Sequence, residues 1–265
     1  MRAVRYRRAG ADAVSAVTTG AVALVSGGNR GIGRAFVEEL IAAGAAKIYC
    51  GSREVSDVPA SLVAAGVVPV QLDITDEASV RAAAETLRDV TVLINNAGFH
   101  GRDRLVLAAD PTIARQEMEV NYFGTLSMIR AFAPVLGANG GGAIVNVLSI
   151  AGAFPTPHMG GYSPAKSAAL FLSTIARAEL ESQDTTVTAL IVGSVDTRMA
   201  DHVQGSKADP QNIAQAGLRA MSRGERIIDT DLMAIKARAR YAVDPVRWER
   251  GMAKVLTMTQ QSTGQ

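Results

Sequence analysis

Ala21-Val-Ala-Leu-Val-Ser26-Gly27-Gly28-Asn29-Arg30-Gly31-Ile32-Gly33 decides the fold. Its first six residues are a short apolar run ended by glycines, as befits a strand buried on both faces. From Gly31 the apolar spacing turns helical, with Ile32, Phe36, Leu40 and Ile41 on one side and Gly44 closing the helix. A glycine loop between a strand and a helix can cradle a dinucleotide. Gly27 permits the tight turn, Gly31 lets the backbone approach a pyrophosphate, and Gly33 lets the helix pack against the sheet. The helix N-terminus offers unpaired N–H groups. The candidate cradle is Gly27, Asn29, Arg30, Gly31, Ile32 and Gly33.

Working outward, the same unit repeats. Strands are expected at 47–51, 67–72, 91–95, 143–148 and 186–192, and helices at 58–65, 76–88, 111–136 and 162–181. Parallel neighbours need crossover connections, so strands alternating with helices give an α/β fold. It is a doubly wound parallel sheet of Rossmann type, with three layers and a single domain. After residue 193 the pattern offers a helix at 210–223, a short seventh strand at 226–229, and helical stretches near 231–240 and 245–256. The region of about 196–230 reads as a substrate lid or pocket region, within a domain that spans 19–265.

Lys and Arg number 27 against 25 Asp and Glu, a formal net charge of +2. That balance argues against a nucleic-acid or acidic-membrane partner. Apolar runs are all interrupted before the roughly 18 residues that span a bilayer. The single cysteine, Cys50, lies in a strand-like run and reads as a buried, inert thiol, which excludes a disulfide framework and suits a reducing cytoplasm. No two of the histidines stand at ligand spacing, so no metal is expected.

Downstream, Ser149 precedes Tyr162-Ser-Pro-Ala-Lys166. Tyr162 and Lys166 are one helical turn apart, and an ammonium so placed favours the phenolate, making a tunable general acid/base. Together with Asn95-Asn-Ala97-Gly98, Asn121 and the glycine loop, this arrangement resembles the short-chain dehydrogenase/reductase family from about residue 20 to 200.

The resemblance implies an oxidoreductase that reduces a carbonyl to a secondary alcohol, reversibly, by hydride transfer. In that family Ser149 would polarise the carbonyl, Tyr162 would pass the proton, and Lys166 would lower the tyrosine pKa and bind the nicotinamide ribose. Asn121 would interrupt its helix and hold a water. Asp73 and Ile74 match the adenine-contacting stretch, although Asp73 also reads as a helix cap before Glu77. Asn95, Ala97 and Gly98 match the segment bordering the adenosine ribose, and Val195 and Thr197 the one holding the carboxamide. The alternative is a protein that binds NADP in a regulatory or scaffold role without turnover.

The end of the second strand selects the cofactor. NAD users place an acid there, whereas this chain has Gly51-Ser52-Arg53. Arg53 and Arg30, with Ser52, can meet a 2′-phosphate, which points to NADP(H). Phe99, Phe154, His158, Met159, Met199 and Val203 are candidates for the wall of a pocket for a small carbonyl or alcohol substrate. His100 and His202 fall on the same edge. A homodimer or homotetramer is expected by resemblance, although the usual Val-Asp-Gly-Gly signature near the C-terminus is missing.

Residues 1–18 are rich in arginine, lack an amphipathic face, and read as a disordered or appended tail. Removing them is expected to leave the melting temperature and NADPH affinity unchanged, which thermal denaturation and a binding titration would check.

Overall fold

A computed structural model describes residues 18–263, with side chains described to residue 256. The expected tail therefore lies outside the described residues, save Thr18. That residue is buried, and its carbonyl accepts a hydrogen bond from the Ala21 N–H. A boundary drawn after residue 18 falls inside the folded part.

Seven parallel strands lie in the order β3-β2-β1-β4-β5-β6-β7. They are β1 (Val22–Ser26), β2 (Lys47–Ser52), β3 (Val68–Gln71), β4 (Val92–Asn95), β5 (Gly142–Val147), β6 (Thr185–Ile191) and β7 (Ile227–Asp229). The order reverses between β1 and β4, which pair with Val25 beside Ile94. Along β1 the burial alternates between two cores, as a strand covered on both faces requires. Ala23 and Val25 join one core and Leu24 the other.

Helix α1 (Gly31–Ala42) and α8 (Pro210–Ser222) cover the first face, contributing Phe36, Val37 and Leu40 and Ile213, Leu218 and Met221. Ile41 was expected on that side but is 37% exposed, because it lies a further 100° or so around the helix from Leu40. Helix α2 (Ala60–Ala64) is a short cover near β3. The second face is covered by α3 (Glu77–Thr86), α5 (Thr125–Ala138) and α7 (Tyr162–Glu179).

The long helix expected at 111–136 is interrupted. It runs as α4 (Thr112–Met118), then a turn of π-helix at Glu119–Gly124, then α5. The Asn121 side chain takes the Glu117 carbonyl at 2.9 Å, competing with the backbone for an acceptor four residues back. The stretch read as a lid also divides. Helix α8 is core, with Ile213 and Ala214 fully buried, and β7 completes the sheet, so the surface loop before them is confined to about 196–209.

Short helix α6 (Ile150–Ala153) follows β5, and α9 (Leu232–Val243) and α10 (Pro245–Thr263) complete the chain. Cys50 is buried, and burial pushes its thiol up to about 11. Among the described residues no helix is long and apolar enough to cross a membrane.

Phe36 packs where a Cβ on Gly217 of α8 would come within 2.7 Å of its ring. Phe36→Ala is expected to destabilise the fold by roughly 3–5 kcal/mol, measured by denaturant unfolding; a loss below about 1 kcal/mol would mean that α1 and α8 pack together without it.

Candidate active site

Ligands bind sheets of this kind where the strand order reverses, at the carboxyl ends of the strands. There Gly27 and Gly31 have φ of 63° and 53°, which other residues rarely adopt. At Gly33 a Cβ would lie 2.1 Å from the Gly27 carbonyl oxygen, so only glycine lets α1 approach this closely. Asn96 fixes the arrangement. Its Nδ2 donates to the Ser26 and Gly27 carbonyls at 3.0 and 3.1 Å, and its N–H donates to Ser26 Oγ at 3.0 Å. Arg30 caps α1 without a side-chain hydrogen bond, and no acid occupies the first turn. The amides and positive potential there suit a pyrophosphate.

Ser52, buried, ends β2, and Arg53 and Glu54 follow it, both exposed. Burial, then the charges of Arg198 and Arg53, hold the Arg30 guanidinium below its usual range, while Asp57 acts in the opposite sense. Three arginines thus concentrate positive charge beside the crevice. Arg198 sits on a 3₁₀ turn, Arg198–Ala200, far along the chain from the other two. No strand or helix periodicity could have marked it.

Asp73 is not a helix cap. Its Oδ1 accepts from the N–H and hydroxyl of Thr75 at 2.9 and 2.7 Å, and Asp76 caps α3 through the Ala78 N–H. Ile74 is buried beneath Gly124. The Asn95 side chain also turns away from the crevice. It is buried and donates to Asn146 on β5 at 2.9 Å, and Asn146 donates on to Ser173. Of the Asn-Asn pair it is Asn96 that reaches the glycine loop. Thr197 packs on Gly31, a Cβ there falling 3.2 Å from its methyl, and Val195 is buried.

Ser149, Tyr162, Lys166 and Asn121 come together. Ser149 caps α6, accepting from the Ala151 N–H at 3.2 Å, and hydrogen-bonds with Tyr162. Lys166 Nζ lies 5.6 Å from the Tyr162 ring centroid and donates to the Val147 carbonyl at 3.1 Å. A Cβ on Gly98 would lie 3.0 Å from Asn121 Oδ1 and 3.5 Å from Lys166 Nζ, so Gly98 leaves the space in which these groups meet. Asn121 donates to the Phe99 carbonyl at 2.7 Å and accepts its N–H at 3.2 Å, tying the loop after β4 to the π-turn.

Burial dominates the electrostatics. It pushes the Tyr162 phenol up to about 12 and the Lys166 ammonium down to about 8. The Ser149 hydrogen bond pulls the phenol downward, and the charge of Glu117 pushes it further up. Desolvation is thus the largest influence on both members of the pair.

The pocket candidates separate. Phe99, His158, Met159 and Val203 are partly buried in loops at this edge, and Met199 is 40% exposed. Phe154 is not a pocket wall. It is buried against Tyr241 and Trp248, with ring centroids at 5.2 and 4.7 Å, and so anchors α9 and α10. His100 lies 4.8 Å from the Tyr162 ring and 6.4 Å from His202.

Sequence reasoning missed Glu117, although it stands one helical turn before Asn121. It is buried; Oε1 accepts from the Gly101 N–H at 2.9 Å, and Oε2 faces the Tyr162 amide without a hydrogen bond of ordinary geometry. Gly161 is needed beside it, because a Cβ there would lie 2.7 Å from Oε2. Burial holds this carboxyl above its usual range. A raised folded pKa stabilises the protein fully below the unfolded pKa, and that contribution is lost as pH rises through the folded one. Glu117→Gln should therefore melt above the unaltered protein at about pH 8 and lose the advantage toward about pH 4, where an unfolded glutamate titrates. A melting-temperature difference independent of pH would rule out a destabilising charge.

A sequence profile described as short chain dehydrogenase matches residues 21–208. Among solved structures, a short chain dehydrogenase from Burkholderia cenocepacia in complex with NADP is 39% identical. It covers 91% of this chain and 98% of its own, with a TM-score of 0.83. Among curated proteins, the short chain dehydrogenase tazN of Aspergillus terreus is 36% identical over 58% of this chain, and pigC of Monascus ruber is 32% identical over 70%. The matched part spans 37% of the first and 66% of the second. With crevice, glycine loop and Ser-Tyr-Lys-Asn cluster in the same fold, the chain belongs to the short chain dehydrogenase family.

Proposed function

We propose that the protein is an NADPH-dependent oxidoreductase that reduces a carbonyl to a secondary alcohol, reversibly. The convergence of Ser149, Tyr162, Lys166 and Asn121 beside the glycine loop carries this reading. The bound dinucleotide would supply the hydride. The amides of Gly27 to Gly33 would hold its pyrophosphate, and Asp73, Ile74, Ala97 and Gly98 would border the adenosine. Val195 and Thr197 would hold the carboxamide, and Tyr162 and Lys166 the nicotinamide ribose.

The protonation states favour reduction at neutral pH. A phenol held up at about 12 keeps its proton and can give it to the developing alkoxide, while Ser149 donates to the same oxygen. Oxidation of the alcohol needs the phenolate. Its rate should rise with pH through the alkaline range, while reduction stays level through neutrality. Tyr162→Phe should abolish turnover yet retain NADPH binding, which kinetics and a fluorescence titration separate. Binding without turnover in the unaltered protein, across ketones, aldehydes, quinones and β-ketoacyl thioesters, would favour a regulatory or scaffold role.

The cofactor preference rests on Arg30, Arg53 and Arg198. One paired guanidinium contact to a 2′-phosphate is worth roughly 1.5–3 kcal/mol, so NADPH should be preferred to NADH by about tenfold or more. Arg53→Asp should shrink or reverse that ratio, and Arg198→Ala should reduce it less. If neither change moves the ratio, the assignment is wrong.

A homodimer or homotetramer fits the apolar side chains left on the surface of α7 and the π-turn. Phe171 is 71%, Ile175 54% and Phe123 46% exposed. A cytoplasmic setting suits the single buried thiol.

A further inference from the structure

Three loops, after β4, β5 and β6, each bring one histidine to the mouth of the crevice. His100 packs on the Tyr162 ring at 4.8 Å, His202 stands 6.4 Å from His100, and His158, from the turn Pro157–Met159, is close enough for its charge to act on His100. His100 Nε2 and His158 Nδ1 are buried, and neither has a hydrogen-bond partner. Leaving such atoms unpaired is unfavourable, so each calls for a partner at the crevice. The local field has a sign as well. Besides burial, His202, Arg102 and His158 all disfavour a proton on His100, and of these the Arg102 guanidinium is positive whatever the state of the imidazoles. Arg102 is held in place by hydrogen bonds to the Met199 carbonyl and to Asp201, whose Oδ1 also lies 3.7 Å from His202 Nδ1.

We propose that the substrate is an oxo acid, whose carboxylate is received by His100, His158 and His202 while its carbonyl lies at Tyr162 and Ser149. This rests on the oxidoreductase reading and narrows it to a substrate class. In the step itself the bound reduced dinucleotide would supply the hydride, with its electron pair, to the carbonyl carbon. The carbonyl oxygen would take the proton of Tyr162, and the phenolate left behind would regain one from solvent. The products are a hydroxy acid and the oxidised dinucleotide, with the carboxylate unchanged.

The pH dependence follows with a definite sign. His100 is pushed down to about 4, mainly by burial, and His158 and His202 are also lowered, so all three are neutral at pH 7. Around His202, Arg102 and Lys207 act in the same direction as burial, and Asp201 opposes them. Glu117 lies beneath the loop, turned to the Gly101 amide. A bound carboxylate favours the protonated imidazoles, so its binding draws in protons and strengthens as pH falls.

The test compares 2-, 3- and 4-oxo acids with their methyl esters as substrates for the NADPH-loaded enzyme, by kcat/KM at pH 6 and pH 8. A second reading is competitive inhibition by unreactive short-chain carboxylates. At least one acid should exceed its ester by about tenfold at pH 6, the low end for one charge-assisted hydrogen bond, and by less at pH 8. The carboxylate inhibition constant should be lower at pH 6. Changing His202, 42% exposed and so replaceable without disturbing the core, to Gln should lower the acid-to-ester ratio severalfold, and His100→Gln should lower it further. Activity on esters or neutral ketones that equals or exceeds activity on the acids would overturn the proposal and leave the oxidoreductase reading standing. No turnover of any carbonyl would overturn both.

Discussion

The close approach of helix α1 to strand β1 is the constraint on which the crevice depends. At Gly33 a side chain would meet the Gly27 carbonyl, and Asn96 spans the remaining gap with its side-chain amide. That contact sets the height of the α1 N-terminus above the sheet, and so where an anion would sit. Thr197 rests on Gly31 from the opposite side of the crevice. The loop after β6 is thereby placed by the same glycine-bearing turn, and the two halves of the sheet share one reference point.

Burial is the second organising force, and it acts on charge rather than on shape. Tyr162, Lys166 and Glu117 are all removed from water, and each is pushed toward its neutral form. Charge on any of the three is thereby disfavoured, and Ser149, Asn121 and backbone carbonyls orient the cluster. A helix interrupted by a π-turn is what frees Asn121 from a plain helical position to join them.

Much of this was legible in the chain itself, because periodicity and local motifs report local structure. The strands emerged from short apolar runs, and the glycine loop from its place between a strand and a helix. Contacts between distant segments were not legible. Glu117 carries no signal beyond its i−4 relation to Asn121, and Arg198 is one arginine in an irregular loop. Phe154 was assigned to a pocket because apolar residues near a motif fit core and site equally well. Only the folded chain shows Tyr241 stacked on it and Trp248 meeting it edge-on. The burial of the tyrosine was not legible for a related reason: a neighbouring cation is visible in sequence, whereas desolvation depends on the surroundings of both groups.

The aromatic anchor at Phe154 has an optical consequence. Trp248 is the sole indole of the chain, and its N–H donates to the Pro155 carbonyl at 3.1 Å while its ring meets Phe154 edge-on. It therefore sits on the segment that joins Ser149 to Tyr162. Any shift of that segment changes the surroundings of a single emitter, so the intrinsic fluorescence of the protein reads the movement of this loop without an added label.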